Sequence, residues 1–106
     1  MAVPSRKRRY ARVDLPKGIL VAWQSGGQRS VSRVRVLGLG GLFIVTPEPP
    51  PVGSVVKLLF ESPGGDVRAR AVVRNSEAGR GMGVEFTFMG NEDRARLHHL
   101  LKRLLR

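Results

Sequence analysis

The clearest strand pattern in the sequence is GMGVEFTF at residues 81–88. Its apolar side chains recur at every second position, at Met82, Val84, Phe86 and Phe88. A period of two predicts a β-strand with one buried face, because successive side chains of a strand point to opposite sides. We therefore expect both phenylalanines of this strand to be buried.

The chain before residue 81 carries similar patterns five more times. Short apolar or alternating runs are separated by segments rich in glycine and proline, which interrupt regular structure. The additional predicted strands are residues 19–23, 29–36, 42–46, 54–61 and 66–75. The predicted connections are turns at residues 14–18, 25–28 and 62–65 and a proline-rich loop at residues 47–51.

The strand at residues 29–36 is expected to carry positive charge on the surface. Its alternation puts Arg33 and Arg35 on the exposed face. Val34 and Val36 are expected on the opposite, buried face.

The chain after residue 90 changes to a helical period. Asn91 is a suitable N-cap residue, and Glu92 and Asp93 follow in the first turn, where the helix dipole favours acids. Four leucines then recur at helical spacing, at Leu97, Leu100, Leu101 and Leu104. This predicts an amphipathic C-terminal helix. Its leucine stripe is expected to pack against the strands, and the alternative is packing against a partner.

These elements predict an all-β fold with a C-terminal helix. Short antiparallel strands at regular spacing favour a small barrel, and 106 residues suffice for one such domain. We assign residues 13–106 to the barrel and helix. Residues 1–12 are predicted to form a flexible basic arm, because their charge run and Pro4 give no structural period.

The whole chain is strongly basic. It has 19 Lys and Arg against 8 Asp and Glu, a formal net charge of +11. This balance predicts an anionic partner, such as a nucleotide, a nucleic acid or an acidic surface. The density is highest at residues 6–12, where five of seven residues are cationic. Arginine predominates there, and its planar guanidinium suits phosphates and bases.

The sequence offers little for catalysis or metal binding. Cysteine is absent, and His98 and His99 are neighbours that point about 100° apart on a helix, so they cannot share one metal ion. The acids show no paired spacing, and no nucleophile or phosphate-loop motif occurs. We expect a binding protein without a metal or cofactor, and not an enzyme.

Nothing in the sequence predicts a membrane protein. No apolar run approaches the roughly 18 residues of a membrane span. The basic N-terminus has no apolar run after it, so a signal peptide is not expected. The expected location is the cytoplasm.

A glycine-rich segment at residues 38–41 follows the arginine-bearing strand. Backbone N–H groups at a glycine turn can form an anion-binding nest. The alternative explanation is a β-bulge or tight turn that only reverses the chain.

Taken in order along the chain, these features resemble the PilZ domain, a bacterial receptor module for cyclic di-GMP. Residues 8–12, RRYAR, fit the family's RxxxR motif. Residues 36–43, VLGLGGLF, stand where the family carries its D/N-x-S-x-x-G motif. The strand at residues 81–86 and the helix start at residues 91–94 are similar to the family's usual ending. The resemblance extends over residues 6–105 and implies a six-stranded antiparallel β-barrel with one C-terminal α-helix.

The resemblance also implies a ligand and a site. Cyclic di-GMP is the expected ligand, and family arginines of the first motif bind its phosphates and guanines. The residues expected to bind it here are Arg8, Arg9, Arg12, Gly38, Gly40 and Gly41. The arm is expected to fold over the dinucleotide and clamp it against residues 38–41. An ordered arm would present a changed surface to a downstream protein partner.

The second motif departs from the family pattern. Only Gly41 is retained, because Val36 stands where the family has Asp or Asn and Gly38 where it has Ser. In the family both replaced side chains contact the ligand. Losing one hydrogen bond costs about 0.5–1.5 kcal/mol, or about 1.5–3 kcal/mol with a charged group. Two losses would weaken binding about 100-fold, and the cations of the arm would keep it from being abolished.

Two other functions agree with parts of the sequence. A degenerate PilZ module that does not bind cyclic di-GMP would act through protein–protein contacts, which an exposed apolar patch would support. A basic barrel that binds RNA or DNA would explain the net charge. Nucleic acid is not the expected partner, however, because aromatic residues for base stacking are sparse.

Overall fold

Six β-strands and one helix make up the computed structural model, which describes residues 12–104. The strands are β1 (Arg12–Ser25), β2 (Gln28–Gly38), β3 (Gly41–Val45), β4 (Val55–Ser62), β5 (Gly65–Glu77) and β6 (Gly81–Phe88), and the helix is α1 (Asn91–Leu104). The strands close into an antiparallel barrel in the order β1-β2-β3-β6-β5-β4. The predicted six-stranded barrel with a C-terminal helix is confirmed.

The inward face of each strand fills the barrel interior. On β5 every second residue is buried, and exposed arginines lie between the buried residues as predicted. Trp23 is also buried in this core, where its indole N–H donates to the hydroxyl oxygen of Ser32 at 2.9 Å. That bond satisfies the polar atom that is buried with the ring.

The predicted turn at residues 14–18 is wrong, because β1 runs through these residues. The pairing of β1 with β2 is irregular between Asp14 and Ile19, which indicates a bulge and not a reversal. Leu15 is buried in the core, and Gly18 has a left-handed φ of +73°. Proline and glycine interrupt the strand pairing here, but the buried leucine keeps the chain on the barrel.

A second bulge lies on β2 and changes the faces of the residues that follow it. The pairing with β3 shifts register between Val34 and Val36, so Arg35 is an extra residue on β2. Leu37 is fully buried, and the neighbouring Val36 therefore points outward and is only half-buried. The predicted placement of Val36 on the buried face with Val34 is wrong.

A third irregularity lies at the end of β6. Phe86 pairs with Ala71 and Phe88 with Arg70, so Thr87 is an extra residue on β6. Phe88 lies on the outer face and is 66% exposed. Its predicted burial is wrong, whereas Phe86 is partly buried against the core.

Helix α1 packs on β5 and β4 through its leucine stripe, which confirms that prediction. Its buried residues are Leu97, Leu100 and Leu101. The carbonyl oxygen of Gly90 accepts the first helical hydrogen bond, from the N–H of Arg94 at 2.9 Å. Gly90, and not Asn91, is therefore the N-cap residue. Within residues 12–104, no helix has the length and apolar character to cross a membrane.

Candidate ligand-binding site

The pairing of β1 with β2 brings the last residue of the first predicted motif next to the second motif. Arg12, the last residue of the RxxxR motif, starts β1 and pairs with Gly38 at the end of β2. Residues 38–41 connect β2 to β3, so they lie beside the point at which the predicted arm reaches the barrel. Arg8 and Arg9 lie outside the described residues.

Gly41 has a steric reason to be glycine. A Cβ atom there would lie 2.1 Å from the carbonyl oxygen of Val84, because β3 starts in close contact with the backbone of β6. The carbonyl oxygen of the preceding Gly40 accepts a hydrogen bond from the N–H of Phe86 at 2.9 Å. These contacts fix the connection between β2 and β3 against β6.

The backbone of residues 38–41 agrees better with a tight turn than with an anion-binding nest. A nest of the usual kind needs a left-handed residue beside a right-handed one. In the described part of the chain, the positive-φ glycines are Gly18, Gly26, Gly53, Gly65, Gly79 and Gly81. The segment therefore turns the chain without the left-handed residue that such a nest requires.

The bulge at Arg35 gives this end of the barrel an outer face of mixed chemistry. Val36 pairs with Asp14 on β1 and with Phe43 on β3. Directly paired residues share one face of a sheet, so all three side chains lie on the outside. Asp14 is exposed and Phe43 is half-buried. Val36, which replaces the Asp or Asn of the family motif, thus lies between the carboxylate of Asp14 and the ring of Phe43.

Phe43 lies over glycine residues of the neighbouring strand. A Cβ atom on Gly81 would lie 3.0 Å from the ring atom Cε2, and one on Gly83 would lie 4.0 Å from Cδ1. The glycines leave room for the ring to lie close to β6. An aromatic ring in this position offers an apolar surface against which a base can stack.

An ion pair lies next to residues 38–41. Glu85 pairs with Gly41 across β3 and β6, and its Oε1 accepts a hydrogen bond from Nε of Arg74 at 2.7 Å. The two side chains are 57% and 60% exposed, so the pair stabilises the fold by at most about 1 kcal/mol. The guanidinium of Arg74 lies beside Glu85 on the outer face. Arg33 and Arg35 are exposed on β2 and add to the positive charge.

Sequence reasoning missed Asp14 and Glu85 as neighbours of the motifs, and it gave no role to Phe43, the last residue of the stretch 36–43. Their positions depend on two bulges and on the pairing of β3 with β6, which joins distant parts of the chain. The alternation of apolar and polar residues in the sequence predicts neither the bulges nor the pairing of β3 with β6. Across residues 12–104, no group of three or more His, Asp or Glu side chains could hold a metal ion.

The described residues form a small closed β-barrel in which Arg12, the last residue of the cationic motif, pairs with Gly38 at the start of a glycine-rich connection between two strands. The family model for the PilZ domain matches residues 6–103, and the chain belongs to this family. The family resemblance predicted from the motifs is confirmed.

Solved structures share the fold over almost the whole chain. The inhibitor of motility MotI/DgrA of Bacillus subtilis is 23% identical with a TM-score of 0.74, and the match covers 92% of this chain and 51% of that protein. The complex of K. pneumoniae MrkH with c-di-GMP is 18% identical with a TM-score of 0.73 and the same two coverages.

A third structure matches along its own full length. The PilZ domain of CeSA from a cellulose-synthesizing bacterium is 18% identical with a TM-score of 0.67, and the match covers 91% of this chain and 99% of that one. This chain thus spans about half the length of MotI/DgrA and MrkH and nearly all of the CeSA domain. No curated protein sequence matches the chain.

Proposed function

We propose that this PilZ domain is a cytoplasmic receptor or adaptor that binds cyclic di-GMP in bacterial second-messenger signalling and carries out no catalysis. The observation that carries the proposal is the pairing of Arg12 with Gly38, which joins the two motifs at one end of the barrel. Arg8, Arg9 and Arg12 bind the phosphates and guanines, and residues 38–41 form the opposite side of the site. The MrkH complex supports this choice of ligand, because it is a PilZ-fold relative bound to c-di-GMP.

The predicted arm gives the receptor its means of signalling. The part of this arm that precedes Arg12 closes over the dinucleotide and becomes ordered against residues 38–41. Ordering a segment changes the surface that a protein presents, and this is a recurrent way to switch a partner's binding. The downstream partner is therefore a protein that recognises the closed arm.

The outward position of Val36 explains why the replaced motif position weakens binding without blocking it. Val36 points to the outer face of the barrel. In a ligand site on that face, it removes an acceptor and adds no bulk beyond an ordinary strand side chain. Charged hydrogen bonds with arginine remain available, at about 1.5–3 kcal/mol each. The arm residues Arg6, Lys7, Arg8 and Arg9 and the strand residue Arg12 supply the cations.

Calorimetric titration of cyclic di-GMP at about physiological salt tests the proposal. We expect saturable binding to the unaltered protein at micromolar or tighter concentrations and its loss in the variant Arg8→Ala/Arg12→Ala. A matched control is Arg80→Ala/Arg103→Ala, which removes the same charge from two exposed positions away from the Arg12–Gly38 pair. Equal losses in both double variants, or no binding by the unaltered protein, would contradict the proposal.

One observation favours the alternative of a degenerate module that acts through protein contacts. Leu20 and Val31 are 62% and 65% exposed on the adjacent strands β1 and β2. Val31 also lines a shallow groove of about 480 Å³, together with Ala22 and Leu59. If the titration shows no binding of cyclic di-GMP, this exposed apolar area becomes the candidate contact surface.

A further inference from the structure

We infer that Asp14 is a ligand-binding residue whose carboxylate accepts hydrogen bonds from a guanine edge of cyclic di-GMP. The inference deepens the proposed function and rests on it. It concerns a residue that lies outside both sequence motifs and takes its place through the strand pairing alone.

The register of β1 on β2 puts Asp14 directly opposite Val36. Paired residues on one face have Cβ atoms about 4.5–5.5 Å apart. A carboxylate at position 14 can therefore reach the ligand group that a polar side chain at position 36 would meet. Asp14 is exposed, so a ligand on the outer face can approach it.

Both bulges are needed for this arrangement. The irregularity after Asp14 allows residues 15–18 to leave the regular pairing. The extra residue Arg35 on β2 then turns Val36 outward and Leu37 inward. Without the second bulge, position 36 would be inside the barrel and Asp14 would have no outward partner at that point.

Asp14 is also the better placed of the two acids that the described residues bring to this face. The other acid, Glu85, already accepts a hydrogen bond from Arg74 at 2.7 Å. It pairs with Gly41 on the far side of the connection between β2 and β3. Asp14, in contrast, lies on β1 two positions after Arg12, the last residue of the RxxxR motif.

The chemistry of the guanine edge fits a carboxylate. Guanine presents its N1–H and an N–H of its 2-amino group side by side, and an ionised carboxylate has two acceptor oxygens and no donor. Two such charge-assisted hydrogen bonds are strong and directional. Adenine presents an acceptor at N1 in place of the donor. The same carboxylate would therefore face another acceptor, and the two groups would repel each other. Asp14 would therefore select guanine as well as bind it.

The variant Asp14→Asn tests this selection. It keeps the size of the side chain but replaces one acceptor with a donor. We expect the affinity for cyclic di-GMP to fall about tenfold or more. The affinity for cyclic di-AMP should not fall, so the preference for guanine should shrink. The control Glu48→Gln removes the same charge from an exposed loop residue and should leave both affinities unchanged.

A second variant tests the position of the carboxylate. In Asp14→Ala/Val36→Asp the carboxylate moves to the paired residue on β2. We expect this double variant to regain the cyclic di-GMP affinity that Asp14→Ala loses, and thermal unfolding of each variant shows that the barrel is intact.

The outcomes separate the two proposals. If the unaltered protein does not bind cyclic di-GMP, the proposed function fails. If it binds, and Asp14→Asn binds cyclic di-GMP and cyclic di-AMP with unchanged affinities, the function stands and the role of Asp14 is refuted. A loss for cyclic di-GMP that exceeds the change for cyclic di-AMP establishes Asp14 as the guanine acceptor.

Discussion

At the scale of single residues, Gly41 has a role in the barrel that is independent of any ligand. It is the one residue of the second motif that the sequence retains, and sequence reasoning placed it in the binding site. The structure shows that any Cβ atom at this position would meet the backbone oxygen of Val84 at 2.1 Å. Backbone atoms in a closed barrel cannot move aside as a flexible side chain can. The glycine is therefore explained by packing, whether or not it also contacts the ligand.

The variant Gly41→Ala should destabilise the fold. We expect the free energy of unfolding to fall by about 1–3 kcal/mol or more, because overpacking forces the backbone to shift. Urea unfolding followed by the fluorescence of Trp23, the single tryptophan, measures the change. The matched control is Gly27→Ala in the turn between β1 and β2, where an added Cβ meets nothing within 4 Å. Equal stabilities of the two variants would refute the steric explanation.

At the scale of elements, the sequence predicts the strands well and their irregularities poorly. The alternation on β5 and the spacing of leucines on α1 lead directly to the observed elements, because each reflects the burial of one face. The register shifts between paired strands have no such periodic signal. Each adds residues that shift one strand against its neighbour, and this shift depends on a partner strand elsewhere in the chain.

The candidate site likewise has one part that the sequence predicts and one part that it does not. The RxxxR motif and the glycine segment could be found in the sequence, because their residue types and spacing are local. The placement of Val36 and Asp14 on one outer face could not be predicted from the sequence, because it follows from two bulges. The same reason explains why the exposure of Phe88 was missed.

The start of α1 is tied to β5 through side chains that the helical pattern alone does not reveal. Asp93 Oδ1 accepts a hydrogen bond from the backbone N–H of Arg68 at 2.9 Å. Arg96 donates to the backbone oxygen of Asp66 at 3.0 Å. These bonds satisfy backbone groups of β5 close to its start, where α1 covers the strand.

We therefore expect Asp93→Ala to lower the free energy of unfolding by about 1 kcal/mol more than Glu92→Ala does. Both variants remove an acid from the first turn of α1, so their effects on the helix dipole are similar. Of the two acids, only Asp93 accepts a hydrogen bond from β5. The contact of Glu92 with Arg96 is long, at 3.7 Å. Chemical denaturation of the two variants makes the comparison. A larger loss for Glu92→Ala would show that the helix dipole or the Arg96 contact matters more than the bond to β5.

At the scale of the whole molecule, the described barrel depends little on its charged residues for stability. The barrel closes with β1 starting at Arg12, and all six strands, with the core they enclose, lie within the described residues 12–104. The three ion pairs found among these residues are exposed in whole or in part and contribute little to stability. The proposed ligand site uses the cations of residues 6–12, most of which lie outside the described residues.

Deleting residues 2–11 tests the predicted boundary between arm and barrel. We expect the shortened protein to unfold with a free energy within about 0.5 kcal/mol of the full chain, as surface changes away from the core usually do. We expect its binding of cyclic di-GMP to be lost, because Arg8 and Arg9 are removed while residues 38–41 remain. Denaturation followed by the fluorescence of Trp23 and calorimetric titration give the two readings. Marked destabilisation would place residues before Arg12 inside the folded unit, and retained binding would assign the ligand to cations of the barrel itself, with Arg33, Arg35 and Arg74 as the first candidates.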